Sequence, residues 1–322
     1  MPSKQLIVDM LLDGTWVCGE QMARRCSISR TAVWNHIADL KSRGYKIEAC
    51  RNKGYCLISS PQKLYPELVS HRLRAKLVGK KIVHFDKIGS TNEQAFKMGL
   101  NGTENGTVVV AENQFKGKGR YNRVWVSEPG KSIACSVVLR PLLLKPRDAY
   151  QFTMLAAVSV VESIMDVTRL EPTIKWPNDI YISDKKIAGI LTELSGQMDM
   201  VEFLVIGIGI NISQSQEDFA TQLPDAGSIS FFSEKSVSRL ELLRRLLDKL
   251  DTYYHIITEG SADIIYTKWK QYCNTIGKNI QFESGNLAGR GTVMDIMPDG
   301  ALRVYMGGDK TVSLYSGDIR VI

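Results

Sequence analysis

The sequence predicts an α+β protein with an N-terminal winged helix-turn-helix, a central mixed β-sheet domain with covering helices, and a small C-terminal β-barrel. Three observations predict it. Residues 1 to about 60 carry short helical periodicities that end in an extended pair of segments. From near Lys81, runs rich in Val and Ile alternate with helical patterns. From about Gly277 the pattern changes to short alternating strands separated by glycine-bearing turns. The expected domains are 1–62, 63–274 and 275–322.

The first segment reads as three helices and a hairpin. Apolar residues recur at Leu6, Val8, Leu11 and Leu12, then across Gly19 to Cys26, then from Arg30 to Arg43, before the extended run YKIEACRNKGYCLI. Ser29 is a natural N-cap for the third helix. Val33, Ile37 and Leu40 recur at i, i+4 and i+7 and form its buried stripe, which leaves Arg30, Thr31, Trp34, Asn35 and Lys41 off that stripe. These are side chains suited to base edges and phosphates. The short connection Ser27–Ile28 has helix-turn-helix spacing, and Asn52, Lys53 and Gly54 make a hairpin tip beside Arg51, as in a winged helix. Residues 1–60 hold nine Lys or Arg against five Asp or Glu, a net of +4 out of the chain's +7. That concentration is an electrostatic footprint for DNA, with Ser29, Arg30, Thr31, Trp34, Asn35, Lys41, Arg51 and Lys53 as the candidate contacts. A small dimerisation or protein-docking domain with a solvated basic face is the alternative.

A connecting stretch, SSPQKLYPELVSHRL, follows from Ser59. Thr107 to Ala111, Ser132 to Leu139, Ile174, Ile180 to Ile182, Lys186 to Leu194 and Val201 to Ile208 then read as strands, with a helical pattern from Ala149 to Leu170 among them. Arg239 to Tyr254 places Leu240, Leu243, Leu247, Leu250 and Tyr254 on one helical face, and Asp263 to Tyr272 supplies a shorter helix. IQFES, GRGTVMDIM, ALRVYM and TVSLYS are the strands of the terminal barrel.

Composition bounds the function classes. A chain of 322 residues, 44% hydrophobic, can bury a substantial core, and its net charge of +7 suits anionic partners. Six cysteines (Cys18, Cys26, Cys50, Cys56, Cys135, Cys273) are scattered without a C-x-x-C pair or a nearby histidine, so neither a zinc site nor a disulfide framework is indicated. A reducing cytoplasm fits. The N-terminus lacks the zones of a signal peptide, and charges interrupt the apolar runs, so no membrane segment is expected.

The chemistry concentrates in four motifs. AENQFKGKGRYNRVW sets Lys116, Lys118, Arg120 and Arg123 around Gly117 and Gly119, a density of like charge that needs an anion. It is neither G-x-x-x-x-G-K-[ST] nor G-x-G-x-x-G, because Asn122 stands where the third glycine of the latter would fall. In KWPNDIYISDKKIAGILTEL, Lys175 to Asp179 form a turn between strands and Lys186 opens the next one, which is costly unless an anion meets it. Gly207, Gly209 and Asn211 end a strand as GIGIN, where absent side chains permit close approach. Ser90, Thr91 and Asn92 form a polar cluster after FDKIG.

Together, in this order, these motifs resemble the biotin protein ligases of the bifunctional bacterial type that also repress the biotin operon. The resemblance runs from the winged helix through GKGRYNR, KWPND, KKIAGIL and GIGIN to the terminal barrel. It implies a central sheet of the class II synthetase and biotin-ligase kind and an SH3-like barrel. It also implies condensation of biotin with ATP to biotinyl-5′-AMP, then transfer to a lysine of a biotin carboxyl carrier protein. By the same resemblance, Ser90, Thr91, Asn92 and Gln114 hold biotin. Lys118, Gly119 and Arg120 hold its carboxylate and the α-phosphate, and Lys186 stands at the reacting centre. Trp125, Asn178, Asn211 and Arg123 belong to the nucleotide side, with Trp125 near the adenine. Lys186, Arg120 and Lys118 are the implied catalytic residues.

Two positions depart from the usual GRGRxGR loop. Lys118 replaces an arginine and loses its two-pronged fork, and Asn122 replaces a glycine, although asparagine tolerates left-handed backbone. Mg2+ is expected on the ATP phosphates, with Asp179 a weak candidate ligand. Operator DNA and a homodimer promoted by biotinyl-AMP are the other implied partners, the dimer joining sheets edge to edge through a region such as Leu191 to Gly196. A lipoate protein ligase and a ligand-sensing repressor without catalysis are the competing readings. The lipoate signature of Arg-Arg and triple glycine is absent, and the loop cations and Lys186 are present.

Overall fold

The computed structural model describes residues 3–197, 199–219 and 223–322. The chain forms two compact units, Met1–Leu73 and Arg74–Ile322. The first contains α1 (Ser3–Leu12), α2 (Gly19–Cys26), α3 (Arg30–Ser42) and the antiparallel pair β1 (Lys46–Cys50) and β2 (Gly54–Ser59). Ser29 starts α3 as a cap, its hydroxyl accepting from the Ala32 amide at 3.1 Å. Val33, Ile37 and Leu40 are buried as the stripe requires, as are Ile7 and Leu11 of α1 and Met22 of α2. Gly54 turns at φ +97, and a Cβ there would overlap the Val17 carbonyl, which pairs with Tyr55. That close approach ties the wing to the segment before α2.

The first unit continues past residue 62, where the change of texture had put the boundary. Pro66 opens a short helix, α4 (Pro66–Ser70), inside the expected connecting stretch. Gln5 donates to the Glu67 carbonyl at 3.1 Å, Arg43 and Tyr45 meet the Glu67 carboxylate at 2.5 and 3.1 Å, and His71 pairs with Asp9 at 3.1 Å. These bonds hold α4 to the helices of the same unit.

The second unit is built on a seven-stranded sheet. Its strands are β3 (Ile82–Phe85), β4 (Thr107–Ala111), β5 (Ser132–Leu139), β6 (Thr173–Lys175), β7 (Asp179–Ile182), β8 (Lys185–Gln197) and β9 (Met200–Asn211), in the order β3-β4-β5-β9-β8-β7-β6. Only the β3–β4 pairing is parallel, so the sheet is mixed. β4 and β5 are buried along their whole length, which explains their unbroken apolar texture. The helix α5 (Thr91–Leu100) packs on β4, β5 and β9. The longer α6 (Tyr150–Thr168) packs on β6 to β9 and is covered by α7 (Arg239–Thr258) and α8 (Ala262–Tyr272). On α7 the buried face holds Leu242, Leu243, Leu246, Leu247 and Leu250; Leu240 lies at its half-buried margin rather than within it.

The C-terminal strands β10 (Asn279–Ser284), β11 (Leu287–Ile296), β12 (Leu302–Gly307), β13 (Lys310–Leu314) and β14 (Asp318–Val321) form an antiparallel sheet in the order β13-β12-β11-β10-β14. The fifth strand, β14, is added to the four legible in the sequence.

One apolar run is longer than the sequence reading allowed. Pro146–Thr168 has the length and composition of a bilayer span, yet 72% of its most apolar 18-residue stretch is buried inside this fold. A carboxylate in its middle shows what it packs against. Glu162 accepts from Lys268 at 2.7 Å, Tyr253 at 2.6 Å and Lys249 at 3.0 Å, joining α6 to α7 and α8. Burial pushes its carboxyl up, but these donors outweigh that and hold it at about 2. Asp248 and Asp251 act similarly at the start of the unit: between them they accept the amides of residues 74 to 78, all at 2.8–2.9 Å.

A depressed carboxyl contributes stability above its unfolded value that is lost as pH falls through the folded one. For Glu162 that window runs from the ordinary glutamate range down to about 2. Glu162→Gln is expected to destabilise the second unit by roughly 2–3 kcal/mol at pH 7. Denaturant unfolding at pH 7 and pH 3 should show the variant losing less than the parent on acidification.

Candidate functional site

The central sheet carries a cavity of about 430 Å³, and its floor is a track of glycines. Gly209 on β9 faces Gly189 on β8 across the ladder, and the Trp125 indole lies over both. A Cβ on Gly209 would overlap the indole, and one on Gly189 would come within 3.1 Å of it. Two residues along, a Cβ on Gly207 would overlap the Asn92 side chain. The close approach expected at GIGIN is therefore made by two of the protein's own side chains.

Asn92 belongs to a buried polar row at the start of α5. Ser90 caps that helix by accepting from the Glu93 amide, so the Ser-Thr-Asn triplet is a helix cap and a cavity wall at once. Thr91 donates from its amide and hydroxyl to Gln114 Oε1 at 2.7 and 2.9 Å. Asn92 donates to Glu193 at 2.7 Å, and the Ser136 hydroxyl lies within hydrogen-bond reach of both Thr91 and Asn92. Donors and acceptors are thus set rigidly at one end of the cavity.

The basic loop is a tight hairpin beside this row, with Gly117 against Gln114. Trp125 N donates to Gly117 O at 2.9 Å and Gly119 N to Arg123 O at 2.7 Å. A Cβ on Gly117 would overlap the Trp125 carbonyl, which is why that position is glycine. The left-handed residue at the tip is Tyr121, φ 54, not Asn122. The glycine replaced by Asn122 is thus not where this turn needs its unusual backbone.

Each cation has a partner within the site. Lys118 pairs with Glu93, whose carboxyl is held below its usual range by the hydrogen bond from that lysine. Lys186 Nζ meets Asp179 Oδ1 at 2.7 Å, so the anion that balances the strand-opening lysine is the candidate metal ligand itself. Arg123 Nη1 reaches Asp318 of β14 at 3.1 Å. Arg120 has no carboxylate partner among the described residues; its Nη1 donates to Asn178 Oδ1 at 3.1 Å, while Asn178 Nδ2 is anchored on the Ile190 carbonyl at 2.6 Å. Asn211 is less free than expected, since its amide bonds Gly227 O and Gln214 Nε2 at 3.0 and 2.9 Å.

Ser90, Thr91, Asn92, Gln114, Lys118, Gly119, Arg120, Arg123, Trp125, Asn178, Lys186 and Asn211 all line this one cavity. The sequence reading did not single out Tyr181, Phe219 and the 223–226 segment, which line it too, and gave Lys175 no role beyond the turn it opens. The 223–226 segment flanks Lys186, whose amide donates to Asp225 O at 2.7 Å. Only the proline before Asp225 hinted at an ordered turn there. Among the described residues no three His, Cys, Asp or Glu side chains group as a metal site.

In the first unit, Arg30, Thr31, Trp34, Arg51 and Asn52 line a groove between α3 and the wing. Trp34 is 61% exposed there, and Asn35, Lys41 and Lys53 are exposed outside the groove lining. Ser29 is committed to its cap.

Residues 4–56 match the HTH domain family, and residues 85–211 match the Biotin/lipoate A/B protein ligase family. The bifunctional ligase/repressor BirA of Bacillus spizizenii is 36% identical over 307 residues, covering 95% of this chain and 94% of that protein. The chain belongs to the bifunctional biotin ligase/repressor family. The biotin--[acetyl-CoA-carboxylase] ligase of Mycobacterium tuberculosis is 30% identical over 80% of this chain and 97% of its own length. The fold is also that of a solved biotin protein ligase from Aquifex aeolicus in complex with biotin and ATP, with a TM-score of 0.64 and 24% identity over 76% of this chain and all of that one.

A methyl group on Gly209 cannot coexist with Trp125 where it stands. Gly209→Ala is expected to cost about 1–3 kcal/mol and to displace the loop. Limited trypsin digestion checks this: cleavage after Lys116, Lys118, Arg120 or Arg123 should be faster than in the parent.

Proposed function

We infer that this protein activates biotin with ATP as biotinyl-5′-AMP, transfers it to a lysine of a biotin carboxyl carrier protein, and represses genes of biotin synthesis or transport. The observation that carries the enzymatic half is the convergence of Lys186, Lys118 and Arg120 on one cavity with the buried Thr91 and Asn92 and the half-buried Gln114. The row suits a neutral ureido group, and the cations suit a carboxylate and a phosphate.

The first step joins two anions. A biotin carboxylate oxygen forms a bond to the α-phosphorus, the bridging P–O bond to the β-phosphate breaks, and its electron pair leaves on pyrophosphate. Negative charge grows on the α-phosphoryl oxygens, where Lys186 and Arg120 offset it. The lysine amine of the carrier then attacks the acyl carbon, AMP leaves, and the amine proton is lost. Trp125 brings an indole face for the adenine and a buried Nε1–H without a partner among the described residues. Magnesium enters as part of the nucleotide substrate: Asp179 is engaged by Lys186, so phosphates and water would supply most of its ligands.

The regulatory half rests on the basic groove of the first unit, which would take operator DNA. In this reading residues 1–62, with α4 packed into the same unit, serve DNA, the rest of the chain to residue 274 catalysis, and 275–322 support of the site. A homodimer would join sheets along β8, which keeps strand partners only on its β9 side beyond Gly189. A cytoplasmic location suits each of these partners.

Biotin-dependent ATP–pyrophosphate exchange tests the reading, because a lipoate ligase would respond to lipoate and a pure sensor to neither. Lys186→Met is expected to slow exchange about a hundredfold, on the order of 3 kcal/mol, with the fold retained. Near-parental exchange would remove Lys186 from the reacting centre. Arg120→Gly should release activated biotin: streptavidin blots should show labelling of unrelated proteins, while labelling of the carrier alone would disprove retention by Arg120. Biotinyl-AMP should raise both self-association in sedimentation and operator affinity, the latter falling steeply with salt. If the adenylate changes neither quantity, ligase and repressor are not coupled.

A further inference from the structure

The wall that holds the site's cations is itself held from the C-terminal sheet. Asn178 and Asp179 contact Arg120 and Lys186, and both lie at the end of the turn Lys175 to Asp179. Just before them stands Trp176, 1% exposed, whose Nε1–H donates to the carbonyl of Gly300 at 2.9 Å. Gly300 sits in the turn between β11 and β12. That turn is closed by Gly300 N to Met297 O and Met297 N to Ala301 O, both at 2.8 Å.

The same glycine meets a second support. Tyr150, the first residue of α6, donates its hydroxyl to the Pro177 carbonyl at 2.7 Å, and its ring lies where a Cβ on Gly300 would have to go. Gly300 adopts φ +87, which a side chain disfavours for a separate reason. Burial pushes the Tyr150 hydroxyl up from its ordinary range, so it remains a donor. Trp176 N also donates to Thr275 at 3.2 Å. The turn that bears Asn178 and Asp179 is therefore fixed at three successive residues: by the indole at Trp176, by the tyrosine at Pro177, and by Asn178 on Ile190.

We propose that Gly300 is a positioning residue for adenylation: through Trp176 and Tyr150 it sets the Asn178–Asp179 wall, and this wall sets Arg120 and Lys186. The proposal rests on the functional reading above. It assigns the β11–β12 turn a part in the chemical step although none of its residues lines the cavity. Displacements of about 1 Å at groups that stabilise a transition state cost rate steeply, whereas in the functional reading the ureido end of biotin is held by Thr91, Asn92 and Gln114, which this turn does not carry. The signature is thus a fall in kcat with the KM for biotin preserved.

The test is steady-state biotin-dependent exchange by the full chain, scaled to the folded fraction from circular dichroism. Tyr150→Phe keeps the ring and loses one hydrogen bond; Trp176→Phe loses the donor to Gly300; Gly300→Ala forces the tyrosine to move. Each is expected to lower kcat by about tenfold or more while the KM for biotin stays within about twofold. Ile280→Val, a trimming in the core of the same sheet away from the turn, should lower the melting temperature and leave kcat unchanged. Should Gly300→Ala fold poorly, Tyr150→Phe decides alone. Parental kcat per folded molecule in Tyr150→Phe and Trp176→Phe would overturn the proposal, as would a raised KM with kcat retained. If the parent shows no exchange, the functional reading fails and the proposal falls with it.

Discussion

A packed sheet has no room for a ligand on its face unless some of its positions carry no side chain. Gly207 and Gly209 lie on β9, hydrogen-bonded on one side to β5 and on the other to β8, so neither can shift aside to make space. Their bare faces admit Asn92 and Trp125 against the backbone, and both side chains line the cavity. The polar row at the start of α5, the hairpin of the basic loop and the position of Lys186 on the adjoining strand are all arranged around that space. Side chains at these glycines would push the helix start and the loop off the sheet together.

The cations impose a second constraint. Lys118, Lys186 and Arg123 are each met by a carboxylate, and the three carboxylates come from α5, β7 and β14. Such partners let a positively charged loop remain folded without repelling itself. They also set what an incoming anion must achieve, since it has to compete for cations already paired. Because the Lys118 and Arg123 pairs are well exposed, each is worth little in water, and that competition is easily won. Lys186 and Asp179 are more sheltered, and their pairing holds the ammonium toward the cavity at a fixed point on the strand.

Much of this was legible in the sequence for physical reasons. Ser29 announces its helix because a capping hydroxyl precedes a clean i, i+4, i+7 stripe, and the strands of the central sheet announce themselves because buried strands carry unbroken Val and Ile. The twelve residues named from motif and resemblance together all line the cavity, while Tyr181, Phe219 and the 223–226 segment, which line it too, lie outside those motifs. What stayed hidden depends on contacts across long stretches of chain. Nothing local links Glu93 to Lys118, Asp318 to Arg123, or Gly300 to Trp176. Strand β14 has only four residues, too few to establish an alternation, and α4 lies in a proline-containing stretch that reads as a connection. The glycines of GIGIN were read as sites of close approach, but what approaches them is decided only when the loop and helix fold over the sheet. Glu162 is the clearest case: a lone acid inside an apolar helix has no local sign of the four donors that reach it from two later helices.

That same helix raises a problem of order in time. Pro146–Thr168 is apolar enough to pass for a bilayer span, and its packing partners β6 to β9, α7 and α8 all lie later in the chain. During synthesis, α6 leaves the ribosome about a hundred residues before α8 is complete, an interval of roughly five to twenty seconds at ordinary elongation rates. Throughout it, one of the greasiest surfaces in the molecule is without its final cover, and Glu162 is without the lysines and tyrosines that neutralise it. A carboxylate within that run makes the bilayer a poor alternative home for it, because a charged acid in hydrocarbon is costly.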